Sequence, residues 1–284
     1  MKKKLSKVPI SINEIEKMKE ISINNVKKMK EIYTYIEAIN EALDIGNRLL
    51  KILEKEQPIK KENIIVFYFL RKTLRLLEAT ICLIKNEFDE EAQITARVLL
   101  ETKISFDYFL LHAKTEYDLL LQKFIDYVML DKIRQLEEND KESKHKIIKS
   151  EERRKKWMQI KDEISKRYSS AELKSLQNNG FLGMPLKNMA EKTNNMDLYN
   201  MAYRLCSRNI HLSDLTDQFQ YFRSIKNNEV FAESRFNMLI AIMYECGLGI
   251  VYYVNEWLGD PTGLKKAISA LIEKEKNIKK EKRD

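Results

Sequence analysis

The chain has little to make turns with: 7 Gly and 4 Pro in 284 residues, and the long intervals between them hold mostly Lys, Glu, Leu, Ile and Met. Those residues tolerate helix, so nearly the whole chain is expected to be α-helical. There is no Gly-rich phosphate loop and no Ser nucleophile elbow, which leaves nucleotide-cradling and serine-hydrolase chemistry without a sequence signal. The three histidines, His112, His145 and His211, stand far apart with no carboxylate or cysteine at ligand spacing. No metal site and no cofactor are therefore expected. Glu101-Thr102-Lys103 imitates the Glu-x-Lys of some nucleases, but that motif needs a strand and this one falls in a helix.

Cysteine is also scarce. Cys82, Cys206 and Cys246 each sit within an apolar helical pattern rather than in a paired spacing, so they are expected to be reduced core residues of a cytoplasmic protein. The basic start MKKKLSKVPISIN lacks the apolar run of an export signal. The most apolar stretch, Met238 to Val254, is only 17 residues long and contains Glu245, so a buried helix is expected there rather than a membrane span.

What is present is enough apolar material, 44% of residues, for a substantial core. The predicted architecture is a bundle of long antiparallel helices, with residues 1–20 a basic arm and short helix, 21–272 one helical domain, and 273–284 a charged tail. Ser11 and Glu14 form a capping-box pattern. A long amphipathic helix follows to about Glu54, ended by Gln57-Pro58 because the residue before proline is pushed out of the α region. The next helix, Glu62 to about Asn86, is apolar enough to lie near the centre. A third runs from Glu90 to about Ala113 with Ile94, Val98, Leu99, Ile104, Tyr108 and Leu111 toward the core, antiparallel to the second. A fourth, opened by Thr115, places Leu119, Phe124, Val128, Met129, Ile133 and Leu136 inward, and Asn178 to Pro185 reads as a loop.

Positive charge is uneven within a net +8, since Lys141 to Tyr168 holds eleven Lys or Arg against five acids. This segment is expected to protrude as an outer helix or hairpin, with Arg153, Arg154, Lys155 and Lys156 available to a polyanion. The competing reading is a solvated helix face of mixed charge. Arg97 and Glu101, spaced i, i+4, are either a structural pair or part of a polar site.

The stretch with most chemistry is Met196 to Asp214. Tyr199, Tyr203, Cys206 and Ile210 make an apolar stripe at helical spacing, and Asn200, Arg204, Ser207 and His211 make a polar row beside it, flanked by Arg208. Arg204 and His211 are nearly two whole turns apart, so their side chains leave one face about 10 Å apart along the axis. The candidate catalytic residues are Arg204, His211, Ser207 and Arg208, with Arg97, Glu101 and Tyr203 in support.

Ala96-Arg97-Val98-Leu99-Leu100-Glu101, together with Met189-Ala190-Glu191 and the later Tyr203-Arg204, Ser207 and His211, resembles a bacterial family known as domain of unknown function 5677. The likeness spans about Asn63 to Phe222 and implies an α-helical domain without implying an activity. Arg204 and His211, with six residues between them, also resemble the arginine–histidine motif of the HEPN domains, helical bundles that often dimerise and that include metal-independent ribonucleases. Leu205 stands where that motif often has a polar residue. The HEPN resemblance implies a ribonuclease acting as a toxin or antiviral-defence effector, with RNA, a second copy of the chain and an antitoxin or sensor protein as partners; with the apolar stretch Met238 to Val254 short of a span, no membrane partner is expected. The alternative is a non-enzymatic interaction module that binds a protein or nucleic acid through its basic segment.

Overall fold

The computed structural model describes residues 26–56, 58–86, 88–142, 151–200, 237–261 and 263. Every regular element among them is helical, and the protein is an all-α helical bundle. In chain order these are α1 (Val26–Lys55), a 3-10 turn (Lys61–Asn63), α2 (Ile64–Lys85), α3 (Asp89–Glu142), α4 (Glu151–Arg167), α5 (Ser170–Asn179), α6 (Leu186–Lys192), one turn at Met196–Leu198, and α7 (Asn237–Trp257). The described residues fall into two compact units, one drawn from Met1–Phe106 with Asp197–Asp284 and the other from Asp107–Met196. The N-terminal capping box, the charged tail and most of the Met196 to Asp214 stretch lie outside the described residues.

In the first unit α1, α2, the first part of α3 and α7 surround a largely apolar core. Ile36, Ile39, Ile45, Leu49 and Leu53 recur along α1 at helical spacing and are all buried. That helix ends at Lys55, three residues before Pro58, close to the stop that the Gln57-Pro58 pair marks in the sequence. Along α2 the buried positions are Ile65, Val66, Phe69, Leu70, Thr73, Leu74, Leu77, Thr80, Ile81 and Ile84. These cover more than one face, so the helix needs partners on several sides.

It has them. Leu74 fills the space where Gly46 of α1 has no side chain, and Leu77 does the same at Gly247 of α7. On the third side α3 runs antiparallel: Thr80 shares a 2.8 Å hydrogen bond with Thr95 near the connection, while Phe69 meets Phe106 at a ring separation of 5.1 Å further away. Tyr35 and Tyr244 close the contact between α1 and α7, edge to face at 4.9 Å. α7 is, among the described residues, the one helix long and apolar enough to cross a membrane by length and composition, and most of it is buried in the protein. Its middle turn, Tyr244–Leu248, is π-helical.

In the second unit, α3 does not run straight. Glu116 has φ −127° and ψ 20°, which breaks the helix one residue after the Thr115 expected to open a new one. Thr115 does not cap; its hydroxyl donates to the His112 carbonyl. Within the basic segment, residues 151–167 form a helix, α4, one side of which packs along the distal part of α3. Ile164 is buried, Lys161 pairs with Glu137 at 2.8 Å, and the Lys132 ammonium lies 5.7 Å from the centre of the Trp157 ring. Ser169 caps α5 in a reciprocal box with Glu172, and the loop after it turns through Gly180 and Gly183, both at positive φ. Phe181 in that loop is buried edge-on against Phe124.

Four residues expected inside are not. Ile94, Leu111, Leu119 and Val128 are exposed. Leu99, Ile104 and Tyr108 are buried as expected, and the first part of α3 also buries Ala92, Gln93, Ala96 and Leu100, its two alanines letting the helices approach closely. Leu111 lies about 200° around the helix from the buried Phe109. Past the break the inward slot is taken by Asp126, and Val128 falls on the opposite side. Cys82 is exposed rather than in the core, Cys246 is buried as expected, and Cys206 lies outside the described residues.

A Cβ at Gly247 would sit 2.8 Å from Leu77 Cδ1, inside van der Waals contact with a fully buried side chain. Gly247→Val is therefore expected to lower stability by about 1–3 kcal/mol. Urea denaturation would show it as an earlier midpoint with the same slope; an unmoved midpoint would contradict the close approach.

Candidate functional site

Five of the proposed site residues, Tyr203, Arg204, Ser207, Arg208 and His211, lie outside the described residues. Arg97 and Glu101 are described, and they pair. One helical turn brings Arg97 Nε to 3.0 Å from Glu101 Oε1, with the arginine side chain 17% exposed and the glutamate 34%. At this exposure the pair contributes only a few tenths of a kcal/mol to stability, so its interest lies in its surroundings.

Antiparallel packing brings α2 against it, because the same register that matches Thr80 with Thr95 sets Lys72 beside Glu101. Burial pushes the Lys72 ammonium below the usual lysine range, and the nearby Glu101 carboxylate works against that shift. The Lys72 ammonium also lies 5.9 Å from the centre of the Tyr68 ring, one turn back along α2. Tyr68 is 37% exposed, yet burial raises its phenol; exposure describes the whole residue, whereas the shift reports on the hydroxyl alone. Two cations and one carboxylate thus share a half-buried cluster edged by an aromatic ring. Its two cationic side chains against one carboxylate suit holding an anion.

Arg154, Lys155 and Lys156 are exposed on α4. The polar centre of the second unit, which lies outside the sequence-based expectations, forms where α4 ends. Asp126, 2% exposed, accepts hydrogen bonds from Gln122 Nε2 at 3.1 Å, Arg167 Nη1 at 2.6 Å and the Tyr168 hydroxyl at 2.8 Å. This buried carboxylate is fully engaged, and its effect is to fasten the end of α4 to α3. The i, i+4 spacing of Gln122 and Asp126 was a legible signal, but Arg167 and Tyr168 come from about 40 residues away and no local pattern announces them. A smaller group surrounds His112, whose ring lies 4.6 Å from that of Tyr108 and whose Nδ1 is 3.9 Å from Glu116 at the helix break. The Lys192 ammonium stands 5.9 Å from the centre of the same Tyr108 ring. Among the described residues no group of His, Cys, Asp and Glu is arranged to hold a metal ion.

By its fold this is an all-α protein whose first unit carries a small, net-positive cluster at the edge of two antiparallel helices. The model of DUF5677, a family of unknown function, matches residues 63–229, more than half of the chain, and the protein belongs to that family. The matched stretch begins at the foot of α2 and takes in both halves of the cluster as well as Arg204 and His211. No curated protein and no solved structure matches the chain.

Replacing Asp126 by Ala strands the Tyr168 hydroxyl and should cost about 1–3 kcal/mol, while Tyr168→Phe, which removes one donor, should cost less. Desolvation and the bond to Asp126 raise the Tyr168 phenol far above its ordinary 10.0. A raised pKa means that the folded state keeps this proton longer, so the stabilisation is complete below the unfolded value and is lost as pH rises beyond it. Ultraviolet titration of the folded protein should therefore show a last-ionising tyrosine that is missing from Tyr168→Phe. An unchanged titration curve would rule the assignment out.

Proposed function

We propose that the protein is a HEPN-like, metal-independent ribonuclease, a toxin or antiviral-defence effector working in the cytoplasm. The observation that carries this reading is the polar row of the sequence, Asn200, Arg204, Ser207 and His211, at helical spacing within the stretch that the family model matches. In this reading His211 takes the proton from a ribose 2′-hydroxyl, and the resulting oxygen attacks the adjacent phosphorus. The 5′-oxygen leaves with a proton from a second acid, giving a 2′,3′-cyclic phosphate and a 5′-hydroxyl. Arg204, with Arg208 beside it, neutralises the charge that builds on the phosphoryl oxygens. One imidazole cannot be base and acid at the same moment, so a symmetric dimer that apposes two copies of this helix supplies the second.

A second reading, a non-enzymatic module that binds a partner protein or nucleic acid, is favoured by one observation. Arg154, Lys155 and Lys156 are consecutive and all exposed on α4. Their neutralisation would flatten the salt dependence of binding to a polyanion under this reading.

Incubation of the purified protein with total RNA in the presence of EDTA separates the two. Cleavage with cyclic-phosphate ends is expected, slowed about 100-fold or more in His211→Ala. Cleavage by both proteins alike, or by neither, would remove the ribonuclease reading and leave the binding module.

A further inference from the structure

The outward strip of α2 carries a second feature that neither the family nor the ribonuclease reading assigns. Tyr68, Arg71, Lys72 and Arg75 follow at steps of three, one and three, which puts all four on one side of the helix. Arg71 and Arg75 are exposed, Tyr68 is 37% exposed, and Lys72 is half-buried toward α3. The opposite sides of α2 are committed to the core through Phe69, Leu70, Thr73, Leu74 and Leu77. The strip is thus held on a rigid helix.

We infer that this strip is a binding surface for single-stranded nucleic acid, on which Tyr68 stacks a base while Arg71, Arg75 and Lys72 take successive phosphates. Charge selects a polyanion: with Arg97 the surface has four cations, opposed by Glu101, already held by Arg97, and by the exposed Glu78, which bounds the strip at its far end. The ring selects a strand with unstacked bases, since an accessible aromatic beside a cationic track is what base stacking requires. Arg71 and Arg75 rise about 6 Å apart along the axis, a step suited to neighbouring phosphates of an extended strand. A membrane surface is a poorer fit, because Tyr68 is the one large apolar residue exposed within the strip. The Lys72 ammonium over the Tyr68 ring favours one orientation of that ring before any ligand arrives.

The test uses the full chain and two fluorescein-labelled probes, an oligouridylate and an oligothymidylate. The second has no 2′-hydroxyl, so it reports binding whether or not the protein cuts RNA, and loss of the ribonuclease reading leaves this measurement standing. The wild-type protein is expected to bind both single strands. Tyr68→Ala should weaken binding roughly five-fold or more. The double variant Arg71→Gln, Arg75→Gln should lower the slope of log affinity against log salt by about 1.4, two phosphate contacts at ~0.7 each. Thermal melts confirm that these surface variants fold. Failure of the wild type to bind either probe overturns the proposal. So does unchanged binding by the α2 variants, including the case where affinity falls only when Arg154, Lys155 and Lys156 are neutralised. Equal capture by phosphatidylserine vesicles that is lost in the α2 variants would assign the strip to lipid and overturn it as well.

Discussion

Two glycine notches govern the first unit. Where Gly46 and Gly247 lack side chains, Leu74 and Leu77 of α2 move in closer than a methyl group would permit, so α1 and α7 hold one helix between them at distances no other residue allows. Glycine in a helix interior costs roughly 1 kcal/mol against alanine, and here the tight packing of buried leucines offsets that cost. With α3 on its third side, α2 retains a single narrow strip that faces water. Whatever chemistry this helix performs must come from that strip and from the neighbouring edge of α3.

This constraint explains why charged groups collect where they do. Lys72 lies at the boundary between the buried and open sides, half desolvated, and Glu101 on the adjacent helix partly restores its charge. Arg97 then holds Glu101 in place. The second unit shows a different solution to the same problem. There a carboxylate, Asp126, occupies an inward position outright and is made tolerable by three donors, one from the last residue of α4 and one from Tyr168 just beyond it. Burying a charge without such partners would cost several kcal/mol, so the Asp126 cluster reads as a fastening, whereas the Lys72 edge stays open to a ligand.

The helices themselves were legible from the residues. Pro58 set the end of α1, the continuous apolar character of α2 marked it as central, and the Asn, Gly and Pro cluster set the loop after α5. The inward side of α3 was legible in part: Leu99, Ile104, Tyr108 and Ile133 are buried as their spacing implies, whereas the bulky Ile94 and Leu111 are exposed and Ala92, Ala96 and Phe109 are buried. Apolar bulk announces burial, but close helix contact needs small side chains, and these carry little hydrophobic signal. The buried Asp126 misled in the same way, since a carboxylate in the inward slot displaced Val128 from the core. Of the site, the Arg97–Glu101 pair was visible in its spacing, while Lys72 and Tyr68 join it only through the antiparallel register of α2 on α3. The family match extends the resemblance seen in the sequence to residue 229 and supplies no activity.

α2 presents one exposed strip and buries its other sides, so that the neighbouring rings of Tyr68 and Phe69 stand on opposite terms with solvent. Hydroxyl-radical footprinting of the intact protein reads this at Tyr68 and Phe69 directly. The expected result is ready oxidation of Tyr68, protection of Phe69, and loss of the Tyr68 signal when an oligouridylate is added. Equal oxidation of both rings would contradict the packing of α2, and a Tyr68 signal indifferent to the oligonucleotide would contradict the use assigned to its open side.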